Sequence, residues 1–333
     1  MAGTPPSDVA ASMQRYTGDV PGASLLIVKD GVPLVRQGYG MANLEQHVAA
    51  TPATNYRLAS VSKQFTAAAI LLLAEDGKLK LDDPVRRWLS SPPASTDKVT
   101  LRELLSHTGG LIDYEDLMPP DTTRQLNDQD VLRLLSATSK SYFAPGTAYR
   151  YSNSGYVLLG LVIEKASGQS LPAFLQQRIF KPLHMDHTLM YVQGGPEPGH
   201  RAYGYSEANG KWKRTDQDLT SATRGDGGIY SSIDDLAKWD AALYDDRLLS
   251  DASRKLAFSP HVKVVGEPYE ASYGFGWRIT GDTLWHSGES IGFRNVIVRW
   301  PRQHFTIILL SNRNAPEPYR TVLEIAAHFI KHP

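Results

Sequence analysis

Apolar residues along the chain switch between a period of two and a period near 3.6, and the switches lay out the elements. Residues 23 to 29 (Ala-Ser-Leu-Leu-Ile-Val-Lys) and 32 to 40 (Val-Pro-Leu-Val-Arg-Gln-Gly-Tyr-Gly) are strand-like runs joined at Asp30-Gly31, a strong signal for a two-residue hairpin. Gln64 to Asp76 is an apolar helical run stopped by Gly77, so a helix is predicted over 60 to 76. From Leu81 to about Arg224 helical segments alternate with Pro- and Gly-rich loops, with helices predicted over Leu101 to Ser106, Asp128 to Ala137, Gly155 to Ala166 and Leu171 to Ile179. Ser232 to Leu243 reads as a further helix. Strand patterns return at 272 to 280, 283 to 287, 292 to 300 and 304 to 311, and 319 to 330 is helical. Strands from both ends of the chain are expected to share one sheet. The fold class is therefore α/β of the α+β type, an antiparallel sheet flanked by helices plus an all-helical lobe. The expected division is a sheet lobe of residues 1–80 and 225–333 and a helical lobe of 81–224. The run Ser90-Ser91-Pro92-Pro93-Ala94-Ser95 reads as a loop, and the chain shows no internal repeat.

The helix at 60 to 76 opens with Ser60-Val61-Ser62-Lys63. A serine hydroxyl is a weak nucleophile until a base takes its proton, and a lysine does so when burial lowers its pKa. The i,i+3 spacing puts Ser60 and Lys63 on one helical face. It also places Ser60 at the positive end of the helix, where backbone N–H groups face a developing oxyanion. A second match, Ser95-Thr96-Asp97-Lys98, follows Pro92-Pro93 and opens no long apolar helix.

Composition narrows the choice of partners. Lys plus Arg and Asp plus Glu number 35 each, so no global field draws the chain to nucleic acid or an anionic membrane. The longest apolar run, Phe65 to Ala74, falls short of the ~18 residues of a membrane span. The first residues show neither a basic nor an apolar leader region, so the expectation is a cytoplasmic protein or a periplasmic or secreted one whose leader was removed. The absence of cysteine excludes disulfides, thiol catalysis and cysteine metal sites. No cofactor is implied.

Two further groups join Ser60 and Lys63. Tyr151-Ser152-Asn153 lies at the entrance of the helix beginning near Gly155, so a phenol and an amide emerge together; Asn153 or Ser154 as a mere helix cap is the competing explanation. Trp285-His286-Ser287-Gly288 ends a strand-like run, and its glycine permits close approach of a ligand or another backbone. His107-Thr108-Gly109 has the same form but is explained as the end of the helix starting near Leu101.

The ordered set Ser60-x-x-Lys63, Tyr151-x-Asn153 and His286-x-Gly288 resembles the serine β-lactamase and penicillin-recognising DD-peptidase superfamily, in particular its class C-like branch, which includes esterases and D-aminopeptidases. Flanking segments agree across nearly the whole chain: Tyr56-Arg57-Leu58-Ala59, Leu104 to Leu111, Gly225 to Ser232 and Gly274-Phe275-Gly276-Trp277. The resemblance implies a β-lactamase/transpeptidase-like fold with its site in the cleft between sheet and helical lobe. It implies acyl transfer through an acyl-enzyme on Ser60, with Lys63 and Tyr151 sharing acid and base work. Tyr151 would be a phenolate if Lys63 and a protonated His286 lowered its pKa. Asn153 would hold the substrate amide and Lys63, and the backbone N–H groups of Ser60 and Glu289 would form the oxyanion hole.

Two departures bear on substrate. His286-Ser287-Gly288 stands where class C β-lactamases carry Lys-Thr-Gly, so a titratable group replaces a permanent charge. Glu289 stands where small residues are usual, on the strand face, shared with Ser287, that holds the substrate carboxylate in relatives. It would repel that carboxylate unless Arg294 or Arg224 neutralises it, or else attract a substrate amine. The expected substrate is a small-molecule ester or amide, with weak turnover of β-lactams; a DD-peptidase, a D-aminopeptidase and a class C-like β-lactamase are the alternatives. Pocket walls are expected from loops 111 to 120, 200 to 226 and 262 to 272.

Three rival readings are weaker. Gly288-Glu289-Ser290-Ile291-Gly292 matches a nucleophile elbow, but a strand pattern follows it where that elbow needs a helix. His184-Met185-Asp186-His187 reads as a surface loop rather than a metal site. A non-catalytic scaffold would have no need of the complete set Ser60, Lys63, Tyr151, Asn153 and His286.

Overall fold

In the computed structural model, which describes residues 7–90 and 97–330, an eight-stranded sheet is formed from both ends of the chain. Its strands are β1 (Ala23–Lys29), β2 (Val32–Tyr39), β3 (Val262–Lys263), β4 (Ser272–Tyr273), β5 (Arg278–Thr280), β6 (Thr283–Ser290), β7 (Phe293–Trp300) and β8 (Phe305–Ser311). The spatial order is β3-β4-β5-β6-β7-β8-β1-β2, antiparallel throughout, with Ala23 opposite Ser311 and Lys29 opposite Phe305. The β1–β2 hairpin turns at Asp30 (φ +51) and Gly31 (φ +76), the conformation that dipeptide favours.

The helices are α1 (Ser7–Met13), α2 (Lys63–Glu75), α3 (Leu101–Leu105), α4 (Asp128–Ser136), α5 (Asn153–Ser167), α6 (Leu171–Leu175), α7 (Ile233–Ala242), α8 (Asp251–Ala257) and α9 (Pro318–Ala326). The central strands are covered on both faces, which is why β1 and β8 read as unbroken apolar runs. Leu25, Ile27, Ile307 and Leu309 pack with Val9 and Met13 of α1 and Val322 and Ile325 of α9. Leu26, Ile308 and Leu310 belong to the larger core that holds α2 and α5. Helix α2 is buried from Lys63 through Leu73, so its surface is apolar all round rather than in a stripe.

Three sequence expectations change. The stretch 272 to 280 is not one strand: Ser272 pairs with Ile279 and Tyr273 with Arg278, so Gly274-Phe275-Gly276-Trp277 is the turn of a hairpin between β4 and β5. Its alternating large and small residues mimic strand periodicity. The strand at 283 extends to Ser290. The segment 81–224 also contains a hairpin, Tyr205–Ala208 with Lys211–Arg214, and a strand, Leu189–Met190, that pairs with Ile229–Ser231. The loop read over Ser90 to Ser95, apart from Ser90 itself, and the first half of the second Ser-x-x-Lys match fall in 91–96, outside the described residues. No described helix is long and apolar enough to cross a membrane.

Candidate active site

Ser60 is presented by a strained turn. Ala59, just before it, has φ +49, a left-handed conformation uncommon for a residue with a side chain. A 3₁₀ turn over Ala59–Ser62 then runs into α2, so the predicted helix does begin at Ser60 but with a tighter first turn. The turn is clamped from both sides. Gly276 of the β4–β5 turn lies against α2, where a Cβ would sit 2.9 Å from the Lys63 carbonyl oxygen. On β6, a Cβ on Gly288 would sit 2.0 Å from the Leu58 carbonyl oxygen. That contact sets how closely β6 approaches Ser60, so Gly288→Ala, which must push β6 and the Ser60 turn apart, is expected to lower Tm and to lower kcat/KM by ~100-fold, the usual cost of an ångström-scale misplacement. Paired kinetics and thermal melting would check it.

Lys63 is fully buried, and its ammonium donates to Ser60 Oγ at 3.0 Å, Asn153 Oδ1 at 2.8 Å and the Asp226 carbonyl at 3.0 Å. Burial, opposed by Asp226, Asp113 and Glu115, brings its pKa down to about 8. The neutral amine is the form that accepts a proton, and it is populated above that value. Activity through Lys63 should therefore be present above about pH 8 and fall about tenfold per unit below it, seen as a pH profile of kcat/KM.

Asn153 is the first residue of α5, and neither it nor Ser154 is a cap. Its Oδ1 faces Lys63, while Nδ2 donates to Glu115 Oε1 at 3.1 Å. The Tyr151 hydroxyl is sealed and makes no hydrogen bond of normal geometry. Its ring lies under the Lys63 ammonium, 4.8 Å from Nζ to centroid. Burial pushes the phenol well up, with the nearby Ser60 hydroxyl and the Arg278 guanidinium offsetting part of the rise, so it is protonated at neutral pH.

His286 is buried on β6. Its Nδ1 lies 2.6 Å from the Ser287 carbonyl, which only accepts, so Nδ1 carries the proton and Nε2 accepts from Tyr273 Oη at 2.9 Å. Burial, with Arg278 and Lys63 nearby, drives its pKa well below the usual range. A neutral His286 replaces the protonated one expected from sequence, and no phenolate at Tyr151 draws on it. The permanent positive charge comes instead from Arg278 of β5, which is buried, paired with Glu267 and 5.6 Å from the Tyr151 ring centroid.

Ser60, Tyr151, Asn153, His286, Ser287 and Glu289 line one cleft of about 370 Å³, together with Glu115, Glu267 and Arg278. Gly288, between Ser287 and Glu289, packs against the Ser60 turn. Of the two arginines considered for Glu289, Arg294 lies 3.5 Å away, whereas Arg224 is engaged by Asp128 and Glu164. Ser290, the serine of the elbow-like match, ends β6 and is followed by a turn into β7, not a helix. His107 does follow α3, as read, but its ring also packs on Tyr151 at 4.3 Å between centroids. Sequence reasoning missed Asp113, Glu115, Tyr273 and Arg278; the last two flank the Gly274 to Trp277 motif, which was the available signal.

An antiparallel sheet flanked by helices, with Ser60 and Lys63 at the start of α2, is the arrangement of the serine β-lactamase and penicillin-binding protein superfamily. A family model, Beta-lactamase, matches residues 8–330, and the chain belongs to the Beta-lactamase family. It is 35% identical over 327 residues to Penicillin-binding protein 4* of Bacillus subtilis (strain 168), covering 92% of this chain and 72% of that one. Among solved structures, the octameric penicillin-binding protein homologue from Pyrococcus abyssi has a TM-score of 0.86 at 28% identity, covering 97% of this chain and 76% of that chain. The penicillin binding protein from Bacillus halodurans has a TM-score of 0.85 at 27% identity, covering 98% and 100%.

Proposed function

We propose that this chain is an esterase or amidase that works through a covalent acyl-enzyme on Ser60 and turns over β-lactams weakly. The carrying observation is the 3.0 Å hydrogen bond between Ser60 and a buried lysine whose pKa burial brings down to about 8. Neutral Lys63 takes the Ser60 proton as Oγ attacks the carbonyl carbon. The resulting oxyanion is held by the backbone N–H groups of Ser60 and Glu289. Tyr151, protonated, donates to the leaving group and is reprotonated by the Lys63 ammonium beneath which its ring lies. Asn153 fixes Lys63. Water then attacks the acyl-enzyme with the proton transfers reversed. His286 is a neutral positioning group that holds β6 and Tyr273. A scaffold reading is disfavoured because a buried lysine bonded to a serine costs stability without catalysis.

Glu289 supports the weak β-lactam turnover. It is half exposed at the cleft rim, and a solvent-exposed pair with Arg294 offsets only part of its charge. Benzylpenicillin, whose carboxylate would meet that rim, is expected to be hydrolysed slowly, and Glu289→Gly is expected to raise its kcat/KM about tenfold relative to a small neutral ester. Efficient wild-type hydrolysis that Glu289→Gly does not improve would contradict the reading.

A further inference from the structure

Resting on the hydrolase reading above, we propose that His107 is a positioning residue for Tyr151, holding the phenol where it hands its proton to the leaving group. The argument begins with the phenol. Its hydroxyl has to donate to the departing atom, and it makes no hydrogen bond of normal geometry to the described residues. A group kept free at its tip is held from its backbone and its ring face.

His107 supplies both holds. The Arg150 N–H donates to the His107 carbonyl at 3.1 Å, and the Ser152 N–H donates to His107 Nδ1 at 3.2 Å. Both chain neighbours of Tyr151 are thus tied to one residue, the first through its backbone and the second through its imidazole. The His107 ring also lies against the Tyr151 ring, with 4.3 Å between centroids. Upstream, the Gly146 N–H reaches the Thr108 carbonyl at 2.9 Å and the Tyr142 N–H the Gly110 carbonyl at 2.8 Å, so the segment that delivers Tyr151 is laid along 107–110.

Ending α3 does not explain the imidazole. The His107 N–H returns to the Leu104 carbonyl at 3.3 Å and the Thr108 N–H to the Glu103 carbonyl at 2.8 Å, with His107 at φ +58. That closure uses only backbone, and glycine is the residue it favours. A histidine there works against local preference, and its side chain is what Tyr151 gains. The ring is buried among Tyr149, Tyr151, Tyr156 and Tyr273, the last of which bonds His286. Nε2 makes no hydrogen bond to the described residues, so the Ser152 N–H is the ring's one polar tie, and it fixes the tautomer with the proton on Nε2. Burial, with Lys63, His286 and Arg278 nearby, drives the His107 pKa well below the usual range, which keeps Nδ1 an acceptor at neutral pH.

The test compares two esters of one acid, ethyl butanoate and 4-nitrophenyl butanoate, which pass through the same acyl-enzyme. Nitrophenolate departs without a proton, whereas ethoxide needs one, so kcat/KM for the ethyl ester is the quantity that depends on a well-placed phenol. His107→Phe keeps the ring but accepts nothing, and it is expected to lower kcat/KM for the ethyl ester about tenfold or more beyond its effect on the nitrophenyl ester. His107→Asn offers an acceptor near the Nδ1 position and tolerates a left-handed backbone, so it is expected to recover part of that ratio. In a Tyr151→Phe background, His107→Phe is expected to leave the ratio unchanged. Equal losses on the two esters, no loss, no recovery in His107→Asn, or a further change of ratio in the Tyr151→Phe background would overturn the proposal while the hydrolase stands. Should His107→Phe not fold, His107→Gln, whose amide reaches the Nε2 position instead, replaces it in each comparison. If Tyr151→Phe alone lowers both esters equally, the acid role of Tyr151 fails and this inference falls with it; if a fluorophosphonate leaves Ser60 unlabelled, the hydrolase reading itself fails.

Discussion

Replacing Lys63 by methionine is expected to lower kcat/KM by roughly 10³- to 10⁴-fold, the scale on which loss of a nucleophile's base is felt. Methionine fills similar volume but carries no lone pair on nitrogen, so Ser60 keeps its place and loses its proton acceptor. Lys63→Arg separates charge from basicity. A guanidinium keeps the positive charge opposite Asp113, Glu115 and Asp226 but does not deprotonate near neutral pH, so it should not rescue the rate. Steady-state kinetics on a small phenyl ester, with melting curves to confirm folding, measure both. If Lys63→Arg retained near wild-type activity, the lysine would be a counter-ion and the base would have to be sought elsewhere, with Tyr151 the first candidate.

The second large effect is on stability. Arg299 of β7 is 1% exposed, and its Nε donates to Asp240 Oδ1 of α7 at 2.5 Å, while Thr306 Oγ1 of β8 donates to the same oxygen at 2.9 Å. This cluster fastens α7 to the sheet. Asp240→Ala leaves the guanidinium buried without its carboxylate, which costs about 3–5 kcal/mol. In a chain of this size that loss corresponds to a Tm lower by on the order of 10 °C. Adding Arg299→Leu should restore much of it, because the penalty lies in the orphaned charge rather than in the missing attraction. Calorimetry on the single and double variants checks both statements.

The contrast between these residues shows what could be read in advance. Local signals were sufficient where chemistry and conformation are written in neighbouring positions: Asp30-Gly31 gave its hairpin, and the apolar run after Lys63 gave the helix that carries Ser60. The same holds for Tyr151 and Asn153, which flank the N-cap of α5. Family resemblance supplied their association with Ser60 and His286. The protonation state of His286 was not legible, because it depends on the Tyr273 hydroxyl and the Ser287 carbonyl that enclose the ring. Period alone could not show that 272 to 280 doubles back, since Phe275 and Trp277 alternate with glycines as strand residues would. Glu115, Asp113 and Arg278 join the cleft from α-lobe loops and from β5. The Gly274 to Trp277 motif beside Arg278 and the loop 111 to 120 marked their neighbourhoods, but only tertiary packing shows which of their side chains reach Lys63 and Tyr151.

The central claim is a covalent intermediate on Ser60, and intact-protein mass spectrometry with a fluorophosphonate probe tests it most directly. One adduct per chain is expected, mapped to the peptide containing Ser60, formed faster as pH rises toward about 8 and absent in Ser60→Ala. A folded wild-type protein that stays unlabelled, or an adduct that persists in Ser60→Ala and maps to another serine such as Ser290, would contradict the account.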